Sequence, residues 1–236
     1  MKAVVLAGGK GTRLTPYTSV FPKPLLPLGD MPILEIMIYQ MKRAGINEII
    51  LTVGHLAHLI STYFNNGKRF GIDISYSHEE IPLGTSGPLS VIEGLEDTFL
   101  VTNGDTLCDL ALQDIIQEHK KSGATATIAM YKREVNIDLG VIELNGNNQV
   151  IDYSEKPDFF YPVSMGIYVF EPQVLQYIPY NQYLDFPELV LKLIGDGERV
   201  MSHRFDGYWQ DLGRPDDYEQ AVHDFDRLRP QILGDI

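Results

Sequence analysis

The chain has 236 residues, 44% hydrophobic and 22% charged, with a formal net charge of -13. That size and composition predict one globular domain with a buried core, and the excess of acid excludes nucleic acid or an anionic membrane as the main partner. Cys108 is the single cysteine, so no disulfide can form within the chain, and a reducing, cytoplasmic setting is expected.

Met1–Gly9 carries one cation and then an apolar run that is too short for a signal-peptide core. No later run approaches the ~20 apolar residues that span a bilayer. Lys2–Leu6 is short and β-branched and predicts a buried strand. Helical spacing follows over Ile33–Arg43, with Gly45 as its stop. Glu48–Val53 then reads as strand, Leu56–Phe64 as helix and Ile72–Tyr76 as strand. The pattern continues with Gly87–Leu95 as helix, Thr98–Thr102 as strand and Leu110–Lys121 as helix. Such alternation predicts crossover units on a mainly parallel sheet.

Beyond about Ala124 the character changes. Thr125–Tyr131, Leu139–Leu144, Gln149–Tyr153 and Val163–Phe170 are strand candidates, with Asn145-Gly146-Asn147-Asn148 as one of the turns between them. Helical spacing returns at Phe186–Ile194 and at Pro215–Arg227, and Val200–Phe205 is a further strand candidate. With no repeat or linker, 1–236 reads as a single domain whose two halves, about 1–123 and about 124–236, differ in pattern.

The first strand runs into Ala7-Gly8-Gly9-Lys10-Gly11-Thr12-Arg13-Leu14. Glycines there let the backbone turn sharply and aim its N–H groups at a phosphate. The Gly-Lys-Ser/Thr ending of a Walker loop and the dinucleotide glycine spacing are both missing. Ten residues after Arg13, Lys23 stands in Phe21-Pro22-Lys23-Pro24-Leu25. Its flanking prolines predict an extended, non-helical setting, which favours a phosphate-binding cation over a solubilising charge.

These two stretches together resemble the opening of the sugar-1-phosphate nucleotidyltransferases, or nucleotide-sugar pyrophosphorylases. The resemblance continues through Asn103-Gly104-Asp105, Glu155-Lys156-Pro157 and Trp209-Gln210-Asp211-Leu212-Gly213. It implies an α/β fold, a Rossmann-like three-layer nucleotide-binding domain with a mixed, mainly parallel sheet and an integrated sugar-binding half. It implies a reaction joining a nucleoside triphosphate to a sugar 1-phosphate, and a magnesium ion (Mg2+) held by Asp105 and Asp211, since magnesium takes oxygen ligands. Arg13, Lys23 and Asp105 are the implied catalytic residues.

Leu6, Ala7, Gly8, Gly9, Gly11 and Thr12 are implied for the nucleotide. Ser77–Leu89 is similar to the matching segment of mannose-1-phosphate and heptose-1-phosphate guanylyltransferases, which selects Glu80 as the reader of guanine, with Gly84 and Thr85 beneath the base. Asn103, Gly104, Gly140, Glu155, Lys156 and Gly166 are implied for the sugar. Ser164 stands where relatives often carry Asn, so the hexose stays open among mannose-, heptose- and related 1-phosphates.

A uridylyl- or thymidylyltransferase acting on glucose-type or amino-sugar 1-phosphates is the alternative. A regulator that only binds nucleotide-sugars is a further rival. The resemblance is to short forms without a C-terminal β-helix. A homo-oligomer is compatible with the sequence.

Overall fold

The computed structural model describes residues 1–234, so Asp235 and Ile236, the end of the expected single domain, lie outside the described residues. In chain order the strands are β1 (Lys2–Leu6), β2 (Pro27–Leu28), β3 (Met31–Pro32), β4 (Glu48–Val53), β5 (Asp73–His78), β6 (Phe99–Asn103) and β7 (Thr106–Cys108). They continue with β8 (Ala126–Asn136), β9 (Gly140–Leu144), β10 (Val150–Glu155), β11 (Asp158–Phe170), β12 (Val200–Phe205) and β13 (Trp209–Asp211). The α-helices are α1 (Ile33–Arg43), α2 (Ala57–Phe64), α3 (Leu112–Ser122), α4 (Phe186–Gly195) and α5 (Pro215–Leu233).

Seven strands form one sheet in the order β12-β8-β11-β6-β1-β4-β5. β1 pairs in parallel with β4 and β6, β4 with β5, and β12 with β8, whereas β11 runs antiparallel to β6 and β8. The sheet is therefore mixed and mainly parallel, as expected. Strands from before and after residue 124 share it.

The side-chain alternation of β1 explains the layering. Ala3 and Val5 pack with Leu51, Leu100 and residues of α1, α2, α3 and α5, while Val4 packs with Val101, Phe170 and the buried side of α4. Phe225 of α5 is fully buried in the first cluster. Tyr168 stacks on Phe186 of α4 at 4.2 Å in the second. Side chains of that size stabilise by about 1.5–3 kcal/mol each when buried, so both helical layers are firmly attached to the sheet. α1 also complements its own dipole, with Glu35 in the first turn and Lys42 and Arg43 in the last.

Two local expectations fail. Gly87–Leu95 is not an α-helix; only a 3-10 segment, Gly87–Val91, forms. Leu89 and Leu95 are buried in the second cluster, so their apolar spacing reflects an irregular core-facing segment that Gly94, at φ +77°, breaks. Lys23 is also not extended: it opens a 3-10 turn, Lys23–Leu25, closed by Leu26 N–H to the Lys23 carbonyl at 3.0 Å. Pro24 fixes a φ that suits the first turn of such a helix, so the proline that excludes a long helix initiates a short one.

Candidate active site

The chain leaves β1 for β4 and β5 on one side and returns to β6 on the other. A crevice opens at such a reversal, beyond the carboxyl ends of the strands, and ligands of open α/β sheets bind there. The loop after β1 and Asp105 after β6 flank that crevice. Leu6 is in register with Asn103, and Gly104 N–H reaches the Leu6 carbonyl at 2.9 Å. Ala7 N–H reaches the Thr52 carbonyl of β4 at 2.9 Å. Gly8 and Gly9 then carry the loop outward, and the Gly11 carbonyl accepts the Thr18 hydroxyl at 2.8 Å. Thr12 opens the 3-10 turn that carries Arg13.

The loop and the proline-flanked turn bring Lys23 into the crevice, where its side chain is only 9% exposed and forms a direct ion pair with Asp105. Asp211 is delivered separately. β13 pairs antiparallel with β7, placing Asp211 opposite Thr106, and Leu212 N–H bonds the Asp105 carbonyl at 3.1 Å. Asp211 is an exposed residue, yet partial loss of hydration and then the Asp105 charge raise its pKa above the usual carboxylate value. Lys23 and Arg13 act in the opposite direction.

Gly213 explains how Arg13 reaches this group. A Cβ at that position would lie 3.1 Å from both Arg13 Nη2 and Asp211 Oδ1, so a side chain there would obstruct the space between guanidinium and carboxylate. Arg13, Lys23, Asp105 and Asp211 thus meet in one place. Two neighbouring carboxylates with cations beside them suit a hard divalent cation whose other ligands are phosphate oxygens and water. Among the described residues no set of three or more His, Cys, Asp or Glu side chains is placed to hold a metal alone. The donor chemistry of Asp105 and Asp211 fits a hard, oxygen-seeking cation such as magnesium.

On the other side of the loop the acid facing inward is Glu79. A Cβ on Gly8 would sit 2.5 Å from Glu79 Oε1, whereas Glu80 is exposed. Burial raises the Glu79 pKa, with partial relief from Leu83 N–H at 3.4 Å to Oε2. The Thr52 hydroxyl is buried and makes no full hydrogen bond, though it lies near enough to Glu79 to favour its charge. Glu79 and Thr52 were missed in the sequence: Glu79 follows the end of β5, where its N–H bonds the Val53 carbonyl of β4 at 2.9 Å, and no local pattern marks that contact. Gly84 and Thr85 are held against α4: the Thr85 hydroxyl accepts Phe186 N–H at 2.8 Å.

Of the sugar-side candidates, Asn103 and Gly166 are adjacent, since a Cβ on Gly166 would meet Asn103 Nδ2 at 2.5 Å. Trp209 Nε1 fixes the neighbouring Met165 carbonyl at 3.2 Å. Gly140, Glu155 and Lys156 lie together on the exposed β9–β10 hairpin. There Glu155 accepts the Tyr153 hydroxyl at 3.1 Å and Lys156 pairs with Asp138 at 2.7 Å. Both side chains bond to the hairpin region, not to the Lys23–Asp105 pair.

The structure is thus a three-layer α/β fold with a cation-bearing glycine loop and two carboxylates at its switch point. The chain belongs to the nucleotidyl transferase family, whose model matches residues 2–227. It is 36% identical over 242 aligned residues to a UTP–glucose-1-phosphate uridylyltransferase of Synechocystis sp., covering 94% of this chain. It is 34% identical over 226 residues to the mannose-1-phosphate guanylyltransferase catalytic subunit beta of Xenopus tropicalis, covering 92% of this chain. In each case the match spans 62% of the relative's length. The fold superposes on HddC from Yersinia pseudotuberculosis, complexed with GMP-PN, with a TM-score of 0.71 and 25% identity over 95% of this chain and 99% of that one. No helix among the described residues is long and apolar enough to cross a membrane.

Proposed function

We propose that the chain is a cytoplasmic sugar-1-phosphate nucleotidyltransferase, with GTP as donor and a mannose-, heptose- or related hexose 1-phosphate as acceptor, forming an NDP-sugar and pyrophosphate. The observation that carries the reading is the convergence of Arg13, Lys23, Asp105 and Asp211 beside the glycine loop. An oxygen of the sugar phosphate attacks the α-phosphorus of the triphosphate, and the bond from that phosphorus to the bridging oxygen of pyrophosphate breaks. The nucleophile is already ionised at neutral pH, so the chain needs no general base.

The barrier lies in bringing two polyanions into line and stabilising charge on the transferring group. Lys23, released from Asp105, supplies a point charge to the reacting phosphates. Arg13 suits the leaving pyrophosphate, because its planar fork spans two oxygens. Asp105 and Asp211 are the residues that would hold magnesium, which when bound neutralises and aligns phosphate oxygens. Backbone N–H groups from Gly8 to Thr12 complete the anion site.

For the base, a carboxylate accepts both donors that guanine offers side by side, its N1–H and its amino group. The position of Glu79 against Gly8 supports that residue in the role, ahead of Glu80. The similarity of Ser77–Leu89 to guanylyltransferases supports guanine as the base, though it pointed to Glu80. UTP is the second reading, favoured by the identity with the uridylyltransferase. Pyrophosphate release over a matrix of four nucleoside triphosphates and several sugar 1-phosphates, with magnesium, tests both. Turnover with UTP and none with GTP would defeat the guanine assignment; no pyrophosphate from any pair would defeat the reaction.

A further inference from the structure

Helix α4 is capped from across the molecule. Phe186 donates its N–H to Thr85 Oγ1 at 2.8 Å, 101 positions away in sequence. Asp185, the residue placed to cap this helix with its own side chain, makes no such bond. Its Oδ1 instead accepts the Thr85 N–H at 2.8 Å and the Thr85 hydroxyl at 3.0 Å, and its Oδ2 accepts the Tyr183 hydroxyl at 2.7 Å. Burial opposes charge on Asp185, but the donors on it outweigh that and hold its pKa below the ordinary value.

The exchange continues along both segments. The Leu184 carbonyl accepts Ser86 N–H at 2.9 Å and Gly87 N–H at 3.0 Å, and Leu184 N–H reaches the Leu83 carbonyl at 3.0 Å. Gly84, at φ +76°, fits so closely that a Cβ would lie 2.6 Å from the Leu184 carbonyl. At its near end this run offers the Leu83 N–H to Glu79, which lies against Gly8. Glu80, Ile81 and Pro82, between Glu79 and Leu83, are exposed. The hydrogen bonds that fix Leu83–Gly87 thus come from the start of α4, and they decide where the Leu83 N–H stands.

We propose that Asp185 is a positioning residue for the nucleotide: by latching Thr85 it sets the Leu83 N–H that orients Glu79 beside the phosphate loop. The inference rests on the nucleotidyl-transfer reading of that loop. Its bonds are charge-assisted, which makes them stronger than neutral ones and gives the latch a measurable effect.

The test pairs Asp185→Ala with Asp185→Asn, whose amide oxygen still accepts the Thr85 N–H and whose NH2 faces the Tyr183 oxygen. Each variant is first melted to show cooperative unfolding. GTP–magnesium affinity is then measured by calorimetry, and steady-state kinetics with the sugar 1-phosphate that the matrix assay selects. Asp185→Ala is expected to raise Kd and KM for GTP about tenfold, with kcat and the sugar-phosphate KM within about twofold, and Asn to recover most of the loss. Tyr183→Phe, which loses one bond to Asp185, is expected to shift GTP affinity the same way by a smaller factor.

A lowered melting temperature with unchanged GTP Kd in Asp185→Ala would overturn the inference and leave a helix cap only. So would a parallel change in all kinetic constants that Asn does not rescue. If the unaltered protein binds GTP but transfers nothing, the reaction reading falls while the calorimetric comparison still decides the latch. If it binds no nucleotide, both fall.

Discussion

Lys23 and Asp105, 82 positions apart in sequence, form a direct ion pair in the crevice between β1 and β6. Each is the charge partner that the other has before phosphate arrives. A buried cation left alone is costly, as is a carboxylate crowded by a second one, and the pair removes both penalties. Under the proposed reaction it has to separate for Lys23 to reach a phosphoryl oxygen and for Asp105 to take part in holding a metal. The ground-state contact and the reaction therefore draw on the same two groups.

Lys23→Ala is expected to lower kcat by about 100- to 1000-fold, the range for removing one preorganised charge from a transferring group. Asp105→Asn should lower activity as severely, because it weakens metal retention. Circular dichroism should stay native for both, since neither side chain carries the hydrophobic core. Initial rates at saturating substrates check this; near-normal kcat in either variant would remove that residue from the reaction.

Asp211 gives a pH-dependent stability effect of known sign. Its pKa in the folded chain is raised, by lost hydration first and by Asp105 second. Between the ordinary carboxylate value and the raised one, the folded state holds more protons than the unfolded state. Stability from this group therefore falls as pH rises through that window. Asp211→Asn should raise the melting temperature at neutral pH by roughly 1–2 °C, a small gain because the group is solvent-screened. The gain should vanish as pH falls below the ordinary carboxylate range, where Asp211 is neutral in both states. Activity should be lost throughout. Thermal melts across pH check it; a variant less stable than the parent at neutral pH would contradict the assignment.

Glu79→Gln should raise KM for GTP by about tenfold, because an amide offers one acceptor and a mismatched donor to the two donors of guanine. The same change at the exposed Glu80 should cost less. Steady-state kinetics on the two variants separates them, and a larger effect at Glu80 would restore it as the base reader.

Phe225→Ala should destabilise the chain by about 3–5 kcal/mol, since the ring is fully buried beside Gly29, between β2 and β3. α5 follows the β13 segment that carries Asp211, so activity should fail at lower temperature than the parent's. Chemical denaturation measures the loss, and a change below 1 kcal/mol would mean that α5 is held chiefly by other contacts.

The parallel core of the fold was legible because buried strands such as Val4-Val5 and Ile49-Ile50-Leu51 have a composition that few other settings share. Lys23 stood out because a glycine loop precedes it and prolines flank it, whereas Asp105 was singled out by the family resemblance; the structure brings both, with Arg13, into one crevice. What was not legible depends on contacts between distant segments. Glu79 and Glu80 are adjacent acids beyond the end of β5, and the bond from Glu79 N–H to the distant Val53 carbonyl accompanies the placing of Glu79 against Gly8. Lys23 lies in a 3-10 turn because the φ that Pro24 fixes suits a first helical turn as well as an extended segment, so the proline pattern alone fits both. The Asp185–Thr85 exchange joins residues 100 apart, and no local pattern announces it. The β9–β10 hairpin, with its exposed Glu155 and Lys156, has few partners to constrain it.

The fate of each phosphorus of GTP tests the central claim most directly. With magnesium and an active sugar 1-phosphate, radiolabel at the α-phosphate should enter a nucleotide-sugar, and label at the γ-phosphate should appear only in pyrophosphate. Both products should be lost together in Lys23→Ala. Release of γ-label as orthophosphate, or its transfer to the sugar, would contradict attack at the α-phosphorus.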